Sequence, residues 1–237
     1  MDNQQKESSI KYKNYLINAR KFFEKHSDGM IRENHYNHNL EPNFRKYMVE
    51  PVLENPNQYE DKLGFEFGCG AGRNLVNLLV AGNFLRVDGI DISKGNAVNA
   101  QNFVDVKIGL GKSIVLEGNG YTCLPFPSES YSFAISHQVF IHIPNREIRL
   151  SILKDLFRIL VNDGTLVVHF KDMGSSVPYV ENWNEFPMNV TVLQDDLSLI
   201  KSDFKQAGFL MLMFSRKQIG LTANSKYLLK LRNPNCD

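Results

Sequence analysis

The chain of 237 residues is short of cysteine, of charge of one sign and of long apolar runs. Its three cysteines, Cys69, Cys123 and Cys236, stand far apart and form no C-x-x-C pair, which excludes a zinc ribbon, a redox dithiol or a disulfide framework and fits a reducing interior. Twenty-seven Lys and Arg face twenty-six Asp and Glu, a net charge of +1, so the positive field that phosphate-backbone binding needs is missing and nucleic acid is not an expected partner. The opening MDNQQKESS has no apolar core of the secretion-signal kind. Phe209–Phe214, the densest late apolar stretch, is far short of the ~20 residues that cross a bilayer. The expectation is a soluble, cytoplasmic protein with no membrane partner; a homodimer stays open. A hydrophobic share of 43% and a charged share of 22% make an ordinary globular mix, long enough for a core without staples.

What is present is periodicity. From Ile10 to about Lys25, Tyr12, Tyr15, Leu16, Ala19, Phe22 and Phe23 recur at steps of three and four and predict a helix with one apolar face. An Asn- and His-rich loop from Ser27 to about Pro42 follows, then a short helix over Phe44–Leu53, so residues 1–56 read as an N-terminal helical cap and 57–237 as the main domain. In the latter, short apolar runs alternate with helical patterns, the mark of βα units and a mostly parallel sheet. Strands are expected at Leu63–Phe67, Leu85–Ile90, Ser113–Leu116, Tyr131–Ser136 and Thr165–Phe170. Helices are expected over Asn74–Ala81, from Ser93 to about Val104, over Arg146–Val161 with Asn162-Asp-Gly164 as its stop, and around Leu197–Ala207. Phe209–Ser215 and Lys226–Leu231 could pair as an antiparallel hairpin at the sheet end.

The informative stretch is Phe65-Glu-Phe-Gly-Cys-Gly-Ala-Gly-Arg-Asn74, where a strand hands over to a helix. Its glycines permit a sharp turn beside the free N–H groups of a helix N-terminus, a setting for a small nucleotide-like ligand. Asp91, ending the second strand, is placed to accept the two hydroxyls of a ribose. A dinucleotide fingerprint needs a third glycine where Arg73 stands, and the long Arg side chain spoils that close contact. Glu66, two residues ahead of Gly68, is placed to meet a cationic ligand. Cys69 reads as a small filler in the same loop.

With these residues the sequence resembles the class I S-adenosylmethionine-dependent methyltransferases, whose first motif, E/D-x-G-x-G-x-G, matches Glu66–Gly72. Gly89-Ile-Asp-Ile-Ser93, Leu124-Pro-Phe-Pro127, Ser136–Pro144 and Asn162–Leu166 match in family order, and the resemblance spans roughly residues 60 to 232. It implies a Rossmann-like α/β fold: a seven-stranded sheet with helices on both faces and a C-terminal antiparallel hairpin. It implies S-adenosylmethionine as cofactor, held by Glu66, Gly68, Cys69, Gly70 and Arg73 at the methionyl end, Asp91 and Ile92 at the ribose, and Asn119 and Gly120 at the adenine, with Ser136 and Gln138 after the fourth strand. Asn119 stands where the family often has Asp, and a plain turn competes with that role. Ser132 departs from a family Asp.

Methyl transfer from an activated sulfonium needs alignment first, and a base only where the acceptor must lose a proton. His137 and His142 are the catalytic candidates; a packed or hydrogen-bonded ring is the plain alternative for each. Ser136-His-Gln-Val139 is not the Asn/Asp-Pro-Pro-aromatic sequence of base-amino methyltransferases, and no Pro-Cys nucleophile of the cytosine-C5 type exists, so a small-molecule acceptor is expected. Tyr36, Tyr179 and Trp183, from the cap and from an aromatic-rich insertion over residues 171–195, are candidate substrate contacts, with simple core cover as their alternative. His35, Tyr36 and His38 read as a solvated loop, and no metal is expected. The functional expectation is methyl transfer to an oxygen or nitrogen of a small molecule. The alternatives are a non-catalytic cofactor-binding or partner-scaffolding domain, and a nicotinamide-dependent oxidoreductase.

Overall fold

A computed structural model describes residues 3–32, 56–143, 145–172, 197–218 and 225–232. Helix α1 (Asn3–Arg32) leads the chain. The βα units then run β1 (Leu63–Phe67), α2 (Arg73–Gly82), β2 (Arg86–Asp91), α3 (Lys94–Lys107), β3 (Val115–Glu117), β4 (Tyr131–Ser136), α4 (Arg146–Ile159) and β5 (Leu160–Asp172). Helix α5 (Leu197–Gln206) precedes β6 (Leu210–Gln218) and β7 (Ser225–Arg232).

The strands form one sheet in the order β3-β2-β1-β4-β5-β7-β6. Five of its strands, β3 to β5 in that order, run parallel. On its far edge β7 pairs antiparallel with β5, and β6 antiparallel with β7. Because side chains alternate along a strand, each parallel strand feeds two cores. Phe65, Phe67, Ala134, Leu166 and Val168 face one way, onto Ile148, Ile152 and Leu156 of α4 and Phe204 of α5. Val87, Phe133, Ile135 and Val167 face the other way, onto Leu75 and Leu78 of α2 and Phe103 and Val104 of α3. Glu66, between Phe65 and Phe67, therefore points toward the α2 and α3 side.

Several boundaries differ from the sequence reading, most of them by one to three residues. Helix α1 extends beyond the Ile10–Lys25 stripe at both ends, taking in the first residues of the expected Ser27–Pro42 loop. Polar residues such as Gln4, Gln5 and Glu7 carry no apolar period but have good helix propensity, and Ser27 donates its hydroxyl to the Glu24 carbonyl at 2.8 Å instead of ending the helix. Asn162-Asp-Gly164 is no helix stop. It lies inside β5, where the register against β4 shifts and Asp163 adopts a left-handed φ of 63°, a bulge absorbed by the strand. The third strand starts at Val115, because the Ile114 N–H is taken by the Asp88 carboxylate at 2.8 Å. The expected Phe44–Leu53 helix falls outside the described residues. No helix among those described is long and apolar enough to cross a membrane.

Candidate functional site

The strand order turns in opposite directions on the two sides of β1, toward β2 and toward β4, and that switch point leaves a crevice at the C-terminal strand ends. A cavity of about 240 Å³ occupies it.

Its floor is the turn after β1. The N–H groups of Gly68 and Cys69 both donate to the Ile90 carbonyl, at 2.8 and 3.1 Å, folding the turn back over β2. Gly68 has φ of 73°, and a Cβ there would lie 2.2 Å from Cγ2 of Val139, so only glycine lets the turns after β1 and β4 meet. At Gly70 the space where a Cβ would sit is open, which leaves its backbone accessible from the cavity.

Two buried carboxylates border this floor. Asp91 accepts the Gly70 N–H at 2.8 Å on one oxygen and the Ser93 N–H at 2.9 Å and the Asn96 amide at 3.3 Å on the other, fixing its plane. Burial nevertheless raises its pKa from the ordinary value. Glu66, 1% exposed, accepts the Asn74 amide at 2.6 Å on Oε1, while Oε2 has no hydrogen-bond partner among the described residues. Desolvation pushes its pKa up to about 8. A buried, half-satisfied acid facing a cavity suits a cation with N–H donors, because ionisation and the missing hydrogen bond are then supplied together.

The opposite wall comes from the turn after β4 and from α1. Ser136 lies behind the cavity, tying β4 to β1 through a 3.0 Å bond to the Phe67 carbonyl. His137 is buried, and its Nδ1 stands 3.3 Å from Nη2 of Arg73. Gln138 follows with a strained φ of 60°. His142 makes an edge contact with Phe23 and accepts the Tyr15 hydroxyl on its carbonyl at 2.7 Å. Arg20 donates to the carbonyls of Ile92 and Gly118, at 3.2 and 2.9 Å, and Glu24 accepts the Ser93 hydroxyl at 2.7 Å and the Gly95 N–H at 3.1 Å. Helix α1 is thereby strapped across the cavity from the α3 N-terminus to the turn after β4.

Of the residues expected at the site, Glu66, Gly68, Cys69, Gly70, Arg73, Asp91, Ile92, Gly120, Gln138, His137 and His142 all line this cavity. Asn119 does not: its amide is spent locally, accepting the N–H groups of Tyr121 and Thr122 and donating to Thr122 Oγ1, so the plain-turn alternative describes its side chain. The loop instead borders the cavity through Gly118, Gly120 and Thr122. Tyr36, Tyr179 and Trp183 lie outside the described residues. Tyr15, Leu16, Ala19 and Phe23 are wall residues that sequence reasoning missed. Their signal was the α1 stripe itself, indistinguishable in one dimension from an ordinary core face. Asn74 and Asn96 had no signal at all.

Residues 65–168 match a family model described as a methyltransferase domain. That match makes this segment similar to methyltransferase domains. A search of curated proteins finds no match. Among solved structures, magnesium protoporphyrin IX methyltransferase from Synechocystis PCC 6803 with bound S-adenosylhomocysteine is 17% identical, with a TM-score of 0.67 over 91% of this chain and 98% of that one. The methyltransferase of Haloferax volcanii in complex with the Trm112 activator is 16% identical, with a TM-score of 0.67 over 90% and 98%. The (4+2) cyclase SpnF is 14% identical, with a TM-score of 0.63 over 78% and 80%. At such identities the likeness carries the fold alone, and the cyclase is a reminder that one fold hosts several chemistries. The open Gly70 backbone, the fixed Asp91 carboxylate and the half-satisfied Glu66 suit a ligand that carries ribose hydroxyls and a cationic end, as S-adenosylmethionine does.

Proposed function

We propose that the protein transfers a methyl group from S-adenosylmethionine to an oxygen or nitrogen of a small-molecule acceptor. The observation that carries this reading is a single cavity with the Glu66 and Asp91 carboxylates on one side and the His137–Gln138 turn on the other. When bound, the cofactor supplies a methyl group already activated by a sulfonium.

The protein's share is then orientation. Asp91 would hold the ribose hydroxyls, Glu66 the amino-acid end, and the Gly118–Gly120 loop the base. Helix α1, as a cap, excludes water from the reacting atoms. His137 has a defined role in this scheme. A guanidinium only donates, so the ring nitrogen facing Arg73, Nδ1, presents its lone pair and the neutral ring carries its proton on Nε2. His137 therefore acts as a hydrogen-bond donor that orients an acceptor lone pair. Lining up nucleophile, methyl and sulfur in this way is worth on the order of 7–11 kcal/mol.

A small acceptor is favoured by the near-zero net charge, by the modest cavity under α1 and by the absence of the base-methylating sequence after β4. The deciding experiment follows formation of S-adenosylhomocysteine from S-adenosylmethionine against a panel of small hydroxyl, carboxyl and amine compounds. Turnover with a small compound supports the proposal. Cofactor binding with no turnover of any compound would point to the non-catalytic scaffolding alternative, whereas turnover only after a protein partner is added would make it an activator-dependent enzyme, like the arrangement of the Haloferax neighbour.

A further inference from the structure

Asn74 is the second residue of α2, and its side chain turns back to β1 instead of capping its own helix. It is 5% exposed, borders the cavity, and donates Nδ2 to Glu66 Oε1 at 2.6 Å. Its Oδ1, like Glu66 Oε2, has no hydrogen-bond partner among the described residues. A buried amide serving packing alone satisfies both ends, since an orphaned carbonyl costs as much as the bond it forgoes. Two vacant acceptors on one buried wall, one of them on a carboxylate, match a ligand group with at least two N–H donors and a positive charge.

We propose that Asn74 is a positioning residue that completes, with Glu66, a two-acceptor clamp for a protonated primary amine, the amino-acid end of the cofactor. The inference rests on the S-adenosylmethionine reading above and extends it to a residue the sequence motif does not mark. The amide has only one productive orientation once a cation is bound. Glu66 is then ionised and accepts only, so Nδ2 must face it and Oδ1 is left to take an ammonium N–H. Asn74 thus acts twice, steadying the carboxylate and adding an acceptor of its own. Burial, which raises the Glu66 pKa, makes the donated bond the more valuable.

The test is calorimetric titration with S-adenosylhomocysteine and with 5′-methylthioadenosine, which keeps the nucleoside and thioether but lacks the amino-acid end. Asn74→Ala is expected to weaken S-adenosylhomocysteine roughly tenfold or more while leaving methylthioadenosine within about twofold. Equal losses for both ligands, or no loss for S-adenosylhomocysteine, would overturn the assignment. Asn74→Leu, which fills the same volume without polar atoms, carries the same expectation and serves if the alanine variant does not fold. Wild-type protein that binds neither ligand would instead overturn the cofactor reading itself.

Discussion

Glu66 keeps a carboxyl group buried inside the protein, where desolvation penalises its charged form. With its pKa lifted from 4.5 to about 8, the folded ligand-free protein binds its proton more tightly than the unfolded chain does. Stability therefore falls as pH rises through the window from 4.5 to about 8, because the unfolded state gives up the proton first. Glu66→Gln is uncharged at every pH and escapes this loss. Ligand-free melting should show the variant above wild type at pH 8, with the gap closing toward pH 5; a gap that widens toward acid would contradict the assignment. Asp91→Ala removes a charged acceptor and also strands the Gly70 and Ser93 N–H groups. It should weaken S-adenosylhomocysteine by at least ~1.5–3 kcal/mol, and unchanged affinity by calorimetry would refute the ribose role. Both acids were legible in the sequence because glycine spacing fixes where the turn lies, and the turn fixes which strand-end residues face it. Asn74 was not legible, since its partnership with Glu66 depends on how α2 leans on β1.

Helix α1 reaches the rest of the molecule through a few polar anchors, each on a different wall of the cavity. Tyr15 holds the turn after β4, Arg20 the loops after β2 and β3, and Glu24 the N-terminus of α3. Glu24 is held below its ordinary pKa first by the Ser93 hydroxyl and then by the Gly95 N–H, so this anchor weakens only in acid, as the carboxylate takes up its proton. The group is solvent-exposed, and its loss should cost little global stability. The Arg20→Ala, Glu24→Ala double variant is accordingly expected to melt near wild type yet release S-adenosylhomocysteine several-fold faster in stopped-flow measurements. A large drop in melting temperature with no change in release would show that α1 stabilises the fold and does not cover the site. Periodicity revealed this helix but not its length, because its residues ahead of Ile10 are all polar and carry no apolar period. Likewise Asn162–Gly164 has the composition of a helix stop, and only pairing of β5 along β4 shows that the same residues form a bulge within a strand.

The molecule as a whole is a five-stranded parallel sheet extended by β7 and β6, with its cavity at the switch point between β1 and β4. Ligand bound there stabilises the folded state by mass action. S-adenosylhomocysteine at a hundred times its dissociation constant should contribute ~2.7 kcal/mol and raise the melting temperature of a chain this size by roughly 5 to 10 °C. NAD should leave it unchanged, since Arg73 occupies the position where a dinucleotide fold needs glycine. A shift with NAD and none with S-adenosylhomocysteine would restore the oxidoreductase alternative.

The alternation of apolar runs and helical stripes, the glycine turn, and the acids at Glu66 and Asp91 are properties of neighbours in sequence, so the βα architecture and the place of the cavity-lining turn followed from the chain alone. What the tertiary structure decided are meetings between residues far apart in sequence. It brought Arg73 against His137, selecting a tautomer; laid α1 over the cavity, turning a core-like stripe into a wall; and spent the Asn119 amide within its own turn. Such pairings depend on packing angles and loop closure, which local propensities do not encode.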